Sequence, residues 1–327
     1  MNTNRRHALA AIASLAATPW AASNAFAQAW PNKPIRMIVP YAAGGGTDAF
    51  ARTVAPRMGD ILGQQIIVDN RPGAGSAIGA TAAATSPGDG YTLLLGDSAT
   101  YAVNRSLYPK LGYDSFKDLS PVSLTARFGL VLAVNPSVPA KNLAEFVALA
   151  KAKPGQLSYG TPGNGTPHHL AMELLMQRTG ISLVHIPYKG AGPAVQDMLG
   201  GQLQVLMTDL PTAAQHLKAG TVRAIASLGE KRLAATPDLA TVAESGYPGF
   251  DAWAWQGFSV PSSTPAPIVA ALNAAYIKVA AEPSMRQKMT EFGGELTPST
   301  PAAMDAYMRA EAVKWARTIQ DGKIKVE

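Results

Sequence analysis

The residues best suited to chemistry in this chain are glycines. Three short runs carry them: Gly44-Gly45-Gly46, Thr161-Pro162-Gly163-Asn164-Gly165-Thr166 and Pro187-Tyr188-Lys189-Gly190-Ala191-Gly192. Each follows an apolar run of strand character and precedes a helical pattern. In an open parallel sheet, such junctions lie at the carboxyl edge of the strands. Glycine permits positive φ and close approach of the backbone to a ligand. The helix that follows presents unpaired N–H groups and the positive end of its dipole, which together bind anions without a charged side chain. One terminus contributes about 0.3–1 kcal/mol when exposed and about 2 kcal/mol when partly buried. Micromolar binding needs about 8 kcal/mol. Several junctions must therefore converge, each adding charge-assisted hydrogen bonds of about 1.5–3 kcal/mol. The ligand predicted on this basis is a small carboxylate or similar anion. The plain alternative is that the glycines only make tight turns.

Other chemistries fit less well. The chain has no cysteine, which excludes a disulfide framework, thiolate metal sites, iron–sulfur clusters and a cysteine nucleophile. Gly73-Ala74-Gly75-Ser76-Ala77-Ile78-Gly79, with Asp97 after the next strand, invites a dinucleotide reading. Its spacing is G-x-G-x-x-x-G, however, and it follows the second strand, not the first. A zinc site needs several ligands at workable spacing. His168 and His169 are adjacent and point apart on a helix, His185 and His216 are isolated, and no HExxH occurs. The G-x-S-x-G elbow of a serine hydrolase is also missing, and Asp97-Ser98 resembles an acid and nucleophile only superficially. Asp48, near a helix start, reads as a capping residue; beside an anion it opposes binding unless the ligand has an amine. Trp253 and Trp255 share one face of a strand, for packing or for stacking on an aromatic ligand. No catalytic residue, cofactor or metal is expected.

The elements that must position the glycines alternate regularly. Ile35-Arg36-Met37-Ile38-Val39 reads as a buried strand, with a helix from about Thr47. Strands over Gln65 to Asp69 and Tyr91 to Leu95 flank a helix over about Ser76 to Ala84. The same pattern resumes with strands at Leu130 to Val134, Leu157 to Tyr159, Leu183 to Ile186, Val205 to Met207 and Val222 to Ala226. Helices fall between them: Leu143, Phe146, Val147 and Ala150 lie on one face, and Thr166 to Gln177 is a second helix. Two more cover about Pro193–Leu199 and Pro211–Lys218. Strands alternating with helices imply right-handed crossovers and parallel sheet. Thr264-Pro265 and Thr300-Pro301 start two C-terminal helices. At 327 residues with 47% hydrophobic and 15% charged side chains, the chain is not disordered and has material for about two domains.

Residues 1–27 read as a secretory signal. Arg5 and Arg6 precede a small-residue apolar core from Ala8 to Ala17, and Ala25-Phe26-Ala27 is an A-x-A cleavage pattern. The core is shorter than the roughly 20 residues that span a bilayer. The net charge of +6, from 28 Lys+Arg and 22 Asp+Glu, drops to +4 when the two leader arginines are removed. The remaining basic residues are scattered without aromatic interleaving, so no nucleic-acid partner is expected. Without cysteine, a lipid anchor of the usual bacterial type is excluded.

Taken in order, the motifs resemble one family. Pro34-Ile35-Arg36-Met37-Ile38-Val39-Pro40-Tyr41 runs into Gly44-Gly45-Gly46-Thr47-Asp48. Then come Asn70-Arg71-Pro72-Gly73-Ala74-Gly75, Asp89-Gly90-Tyr91-Thr92-Leu93-Leu94 and Gly163-Asn164-Gly165-Thr166. Pro187-Tyr188-Lys189-Gly190, Met207-Thr208-Asp209-Leu210-Pro211 and Thr241-Val242-Ala243-Glu244 follow. Over nearly all of the mature length the chain closely resembles the periplasmic solute-binding proteins of tripartite tricarboxylate transporters, the Bug family.

The resemblance implies an α/β, two-lobed, type II periplasmic-binding-protein fold. Each lobe is a mostly parallel sheet flanked by helices, with the ligand cleft between lobes. Crossings are expected near Arg127 and Gln256, giving lobe one as 28–127 and 256–327 and lobe two as 128–255. The function implied is capture of a small organic carboxylate for delivery to transporter subunits in the membrane, by a soluble periplasmic monomer. An exported enzyme or a sensor subunit using the same cleft is the alternative.

The implied ligand positions fall on several loops. In the first are Tyr41, Ala43, Gly44, Gly45 and Asp48. After the third strand come Ser98, Thr100 and Tyr101, the last standing where the family often has His. In the facing lobe they are Thr161, Gly163, Asn164, Gly165, Thr166 and His169, then Tyr188, Lys189 and Asp209. His169 is at the family's histidine position, and His168 is a departure beside it. The identity of the ligand does not carry over. The leader reading predicts that the exported protein begins at Gln28. N-terminal sequencing of the secreted form checks this, and an intact Met1 in the exported fraction would refute it.

Overall fold

Ile35–Val39 forms strand β1, and four of its five side chains are fully buried. An apolar run of this kind suits a strand covered on both faces. It lies parallel between β2 (Ile66–Asn70) and β3 (Thr92–Asp97). Helix α1 (Gly46–Leu62) packs Phe50, Val54 and Met58 against one face, and α2 (Ala77–Ala84) covers the other. The computed structural model describes residues 30–44 and 46–325. The expected leader and the candidate Gly45 lie outside the described residues. The glycine run with dinucleotide-like spacing has a packing role: a Cβ on Gly79 would sit 2.7 Å from the Pro40 side chain and 2.9 Å from the Arg71 carbonyl. Only glycine lets α2 approach β1 so closely.

After β3 the chain makes a single π-type turn (Ala99–Val103) and the short α3 (Asn104–Leu107). It then enters β4, a 16-residue strand over Leu119–Val134. The sequence indicates a strand only at Leu130 to Val134. The earlier half contains Pro121, Ser123 and Thr125, which suggest a loop, yet Ser123 and Thr125 are fully buried. Tertiary pairing overrides local propensity there, at the cost of register irregularities near Pro121 and Leu124.

The following elements are α4 (Leu143–Ala152), β5 (Ser158–Thr161), α5 (Pro167–Thr179), β6 (Val184–Pro187), α6 (Ala191–Leu199), β7 (Val205–Asp209), α7 (Leu210–Lys218) and β8 (Arg223–Ser227). β5 pairs in parallel with β6 and β7. The return strand β9 (Trp253–Pro261) leads to α8 (Ala266–Ala281), α9 (Pro283–Glu291), β10 (Gly294–Leu296) and α10 (Pro301–Asp321). β4 changes partner in mid-course. Gly129 faces Trp253 of β9, whereas Leu130 faces Asp209 of β7. On the return, Ala252 N–H still bonds the Leu228 carbonyl at 2.9 Å, one residue before β9 begins.

Trp253 and Trp255 are both buried. Trp255 stacks on Tyr101, with ring centroids 5.9 Å apart. The indole N–H groups of Trp255 and Trp315 both donate to Glu311 Oε2, at 3.0 and 2.8 Å, and Lys314 bonds its other oxygen at 3.0 Å. Replacing Glu311 with Leu would leave two buried N–H groups unpaired, at about 1–3 kcal/mol each. Glu311→Leu is therefore expected to lower unfolding stability by roughly 2–4 kcal/mol in a urea titration; a loss under about 0.5 kcal/mol would argue against this anchor.

Candidate functional site

Strand directions decide where the glycine junctions go. β3 reaches its carboxyl end at Asp97, opposite Gln256 of β9, and β1 runs parallel to it. β7 reaches its carboxyl end at Asp209, opposite Leu130 of β4, and β5 runs parallel to β7. Gln256 and Leu130 both lie within a few residues of the point where β4 changes partner. Both sets of parallel strands thus aim their carboxyl ends, and their following loops, at the same crossing.

In the first loop, Gly44 has φ +85° and donates its N–H to Asp48 Oδ2 at 2.9 Å. Arg52 and Asn70 also donate to the Asp48 carboxylate, each at 2.9 Å. The Asp48 carboxylate is thus engaged by its own loop, by α1 and by β2. Burial acts to raise its pKa, but the bonds from Arg52, Gly44 and Asn70 outweigh it and hold the carboxyl below the usual range. Asn70 additionally bonds the Tyr41 carbonyl at 3.1 Å, tying the loop to β2. Ala43 and Gly44 are exposed.

Behind that loop, the Tyr41 hydroxyl donates to Asp97 Oδ2 at 2.5 Å. Asp97 also accepts from Thr100 N–H at 3.1 Å. Burial outweighs these bonds and raises the Asp97 pKa, and burial with the Asp97 charge raises that of Tyr41. Thr100 is buried and bonded to Ser76 at 2.9 Å. Ser98 is buried, and its hydroxyl has no partner among the described residues. Tyr101 turns into the core instead: it is fully buried, and its hydroxyl bonds Gly257 O, Ser259 Oγ and Gly96 N–H, tying β3 to β9.

In the second loop, Gly163 has φ +151° and Gly165 φ +70°. Thr166 caps α5, and its hydroxyl donates to Gly163 O at 2.8 Å. Asn164 is exposed. Two histidines hold this loop at both ends. His185 Nε2 is 2.7 Å from Thr161 Oγ1, and His169 Nδ1 accepts from Gly165 N–H at 3.1 Å. An accepting Nδ1 puts the His169 proton on Nε2, which faces Glu173 at 3.7 Å. The two imidazoles stack 4.0 Å apart, and Tyr159 stacks on His185 at 4.8 Å. His185 is therefore not isolated, as its sequence position suggests, but the second half of a clamp. His169 uses its ring nitrogen on the loop.

Tyr188 and Asp209 are occupied by their own elements. The Tyr188 hydroxyl donates to Asp197 at 2.7 Å, and Lys189 is exposed. Asp209 caps α7 by accepting from Thr212 N–H at 2.9 Å, and its other oxygen lies 3.3 Å from His168 Nε2. Burial acts to raise the Asp209 pKa, but the His168 and Thr212 bonds prevail and lower it. The structure brings the two glycine loops to one crossing. Three residues the motifs did not single out contact the candidate positions: Asp97 accepts from Tyr41 and Thr100, His185 lies against Thr161, and the Gln256 amide donates to Thr47 Oγ1 at 2.7 Å. Only the strand-end position of Asp97 could have signalled its role; the other two are brought in by pairing between distant strands.

The family described as tripartite tricarboxylate transporter family receptor matches residues 50–324. Protein BugT of Bordetella pertussis is 37% identical over 325 residues, covering 99% of this chain and 100% of BugT. An R. palustris protein solved with adipate is 33% identical, with a TM-score of 0.85 over 90% of this chain and 99% of its own. MatC from Rhodopseudomonas palustris, solved with malate, is 32% identical, with a TM-score of 0.80 over 89% of this chain and 100% of its own.

Burial, then the neighbouring His169, lowers the His185 pKa from 6.5 to about 3. The folded protein keeps this ring neutral, while the unfolded chain protonates it below about pH 6.5. Its contribution is fully present above pH 6.5 and is lost as pH falls toward 3. Thermal unfolding should therefore show a falling Tm from pH 6.5 to 4, and His185→Gln should flatten that slope. An identical slope in the variant would exclude His185 as the source.

Proposed function

The chain belongs to the tripartite tricarboxylate transporter receptor family, and on that premise we propose that it captures a small organic carboxylate in the periplasm and hands it to the membrane subunits of such a transporter. It is a binding protein of that family and not an enzyme. The observation that carries the proposal is the convergence of two glycine-built loops on one crossing, with their acidic neighbour Asp48 already saturated. Backbone N–H groups and helix N-termini suit a carboxylate. The adipate and malate bound by the two relatives support the same ligand class.

Residues 28–127 with 256–327 form one lobe in this reading, and 128–255 the other. Closure is a hinge about the two crossing segments. Export follows removal of the leader near Ala27. No helix among the described residues is long and apolar enough to cross a membrane. The ligand sites proposed are the backbones of 43–45 and 163–166, with Ser98 deeper in the cleft.

A thermal-shift panel of mono-, di- and tricarboxylates tests the reading. A ligand at a hundred times its Kd should stabilise the fold by about 2.7 kcal/mol. No shift with any carboxylate would overturn it. Gly163 has no room for a side chain without strain: its φ disfavours one, and a Cβ would lie 3.3 Å from the Tyr188 carbonyl. Gly163→Val should weaken binding at least about tenfold, as one lost charge-assisted bond implies; unchanged affinity in calorimetry would count against the loop.

A further inference from the structure

Gln256 lies where β9 passes beneath the first ligand loop. It faces Asp97 of β3 in register, and its Nε2 donates to Thr47 Oγ1 at 2.7 Å. The residue is only 5% exposed, yet its Oε1 has no hydrogen-bond partner among the described residues. One residue beyond Asp97, the Ser98 hydroxyl is in the same state, at 1% exposure. Buried polar atoms without partners are uncommon and costly. Here two flank Asp97: Ser98 follows it at the end of β3, and Gln256 is its partner within β9. The other polar groups nearby are committed: Tyr41 and Thr100 to Asp97, and Tyr101 to the β9 backbone.

We infer that Gln256 Oε1, with Ser98 Oγ, forms a subsite that reads a hydrogen-bond donor on the ligand, so that the chain prefers hydroxy- or aminocarboxylates to unsubstituted ones. This rests on the carboxylate-capture reading above. An amide carbonyl only accepts, so it pairs with a ligand hydroxyl or ammonium but not with a carboxylate oxygen. An unsubstituted acid leaves that acceptor buried and unpaired. The loops then hold the carboxylate while Gln256 discriminates the carbon beside it. The same amide fixes Thr47, so the selectivity group is also anchored to the loop.

Calorimetry at pH 7 on matched acids tests this: propionate, lactate and alanine; succinate, malate and aspartate; glutarate, 2-hydroxyglutarate and glutamate. Within a set that binds, the hydroxyl- or amino-bearing member should bind about 10–100-fold tighter than the unsubstituted acid, as one unpaired buried acceptor predicts. Whether the hydroxyl or the amine is preferred is read from the second and third members. Gln256→Met should reduce that ratio to within about threefold, and Ser98→Ala, a smaller change, should reduce it in the same direction. If unsubstituted acids bind as tightly as their partners, or the ratio survives both substitutions, the inference fails while carboxylate capture stands. If no member of any set binds, the inference fails, and carboxylate capture is decided by the wider mono-, di- and tricarboxylate panel.

Discussion

The arrangement depends on one strand with two sets of partners. β4 pairs antiparallel with β9 up to Gly129 and with β7 and β8 from Leu130 onward. Because β9 and β7 are antiparallel to β4, the strands parallel to β1 and β5 are oriented from it by hydrogen-bond register alone. Their carboxyl ends must then meet at the crossing. Strand direction follows from backbone pairing, and the loops after β1 and β5 leave their strands at the ends that point toward the crossing. The C-terminal helix α10 braces this arrangement. It packs on β4 and also accepts a bond from Gln177 of α5 at its Thr318 carbonyl, 2.9 Å away.

Electrostatics at the crossing follow from how completely each ionisable group is engaged. An anion site beside carboxylates works only if their charge is satisfied locally. Asp48 is saturated by Gly44, Arg52 and Asn70, and Asp209 by Thr212 and His168. Asp97 is sealed behind Tyr41, where burial favours its neutral form. Burial, then the neighbouring His169, keeps His185 uncharged near neutrality. In the proposed reading, attraction for a carboxylate is left to the backbone of the glycine loops. Such a site recognises the functional group generically and leaves identity to the few side chains that remain unpaired.

Local pattern made much of this legible. Strand β1 and the helix starts at Thr166 and Thr300 are short-range effects, written in neighbouring residue types; the cap that Asp209 gives α7 is not legible in the pattern, which places that helix from about Pro211. The first half of β4 was not legible, because Pro121 and its serines suit a strand only when β9 lies alongside. His185 and Tyr101 were misplaced for the same reason. His185 on β6 stacks on His169 at the start of α5, and Tyr101 turns inward to the β9 backbone.

The sequence alone determined the absence of thiol chemistry and the placing of glycine runs at strand–helix junctions, from which the anion reading is argued. Those are properties of residue type and short spacing, which survive without a fold. Tertiary structure alone decided which junctions meet and which polar atoms are left unpaired. Contacts such as Gln256 with Thr47, 209 residues apart, depend on register between distant strands, and no local pattern encodes that register.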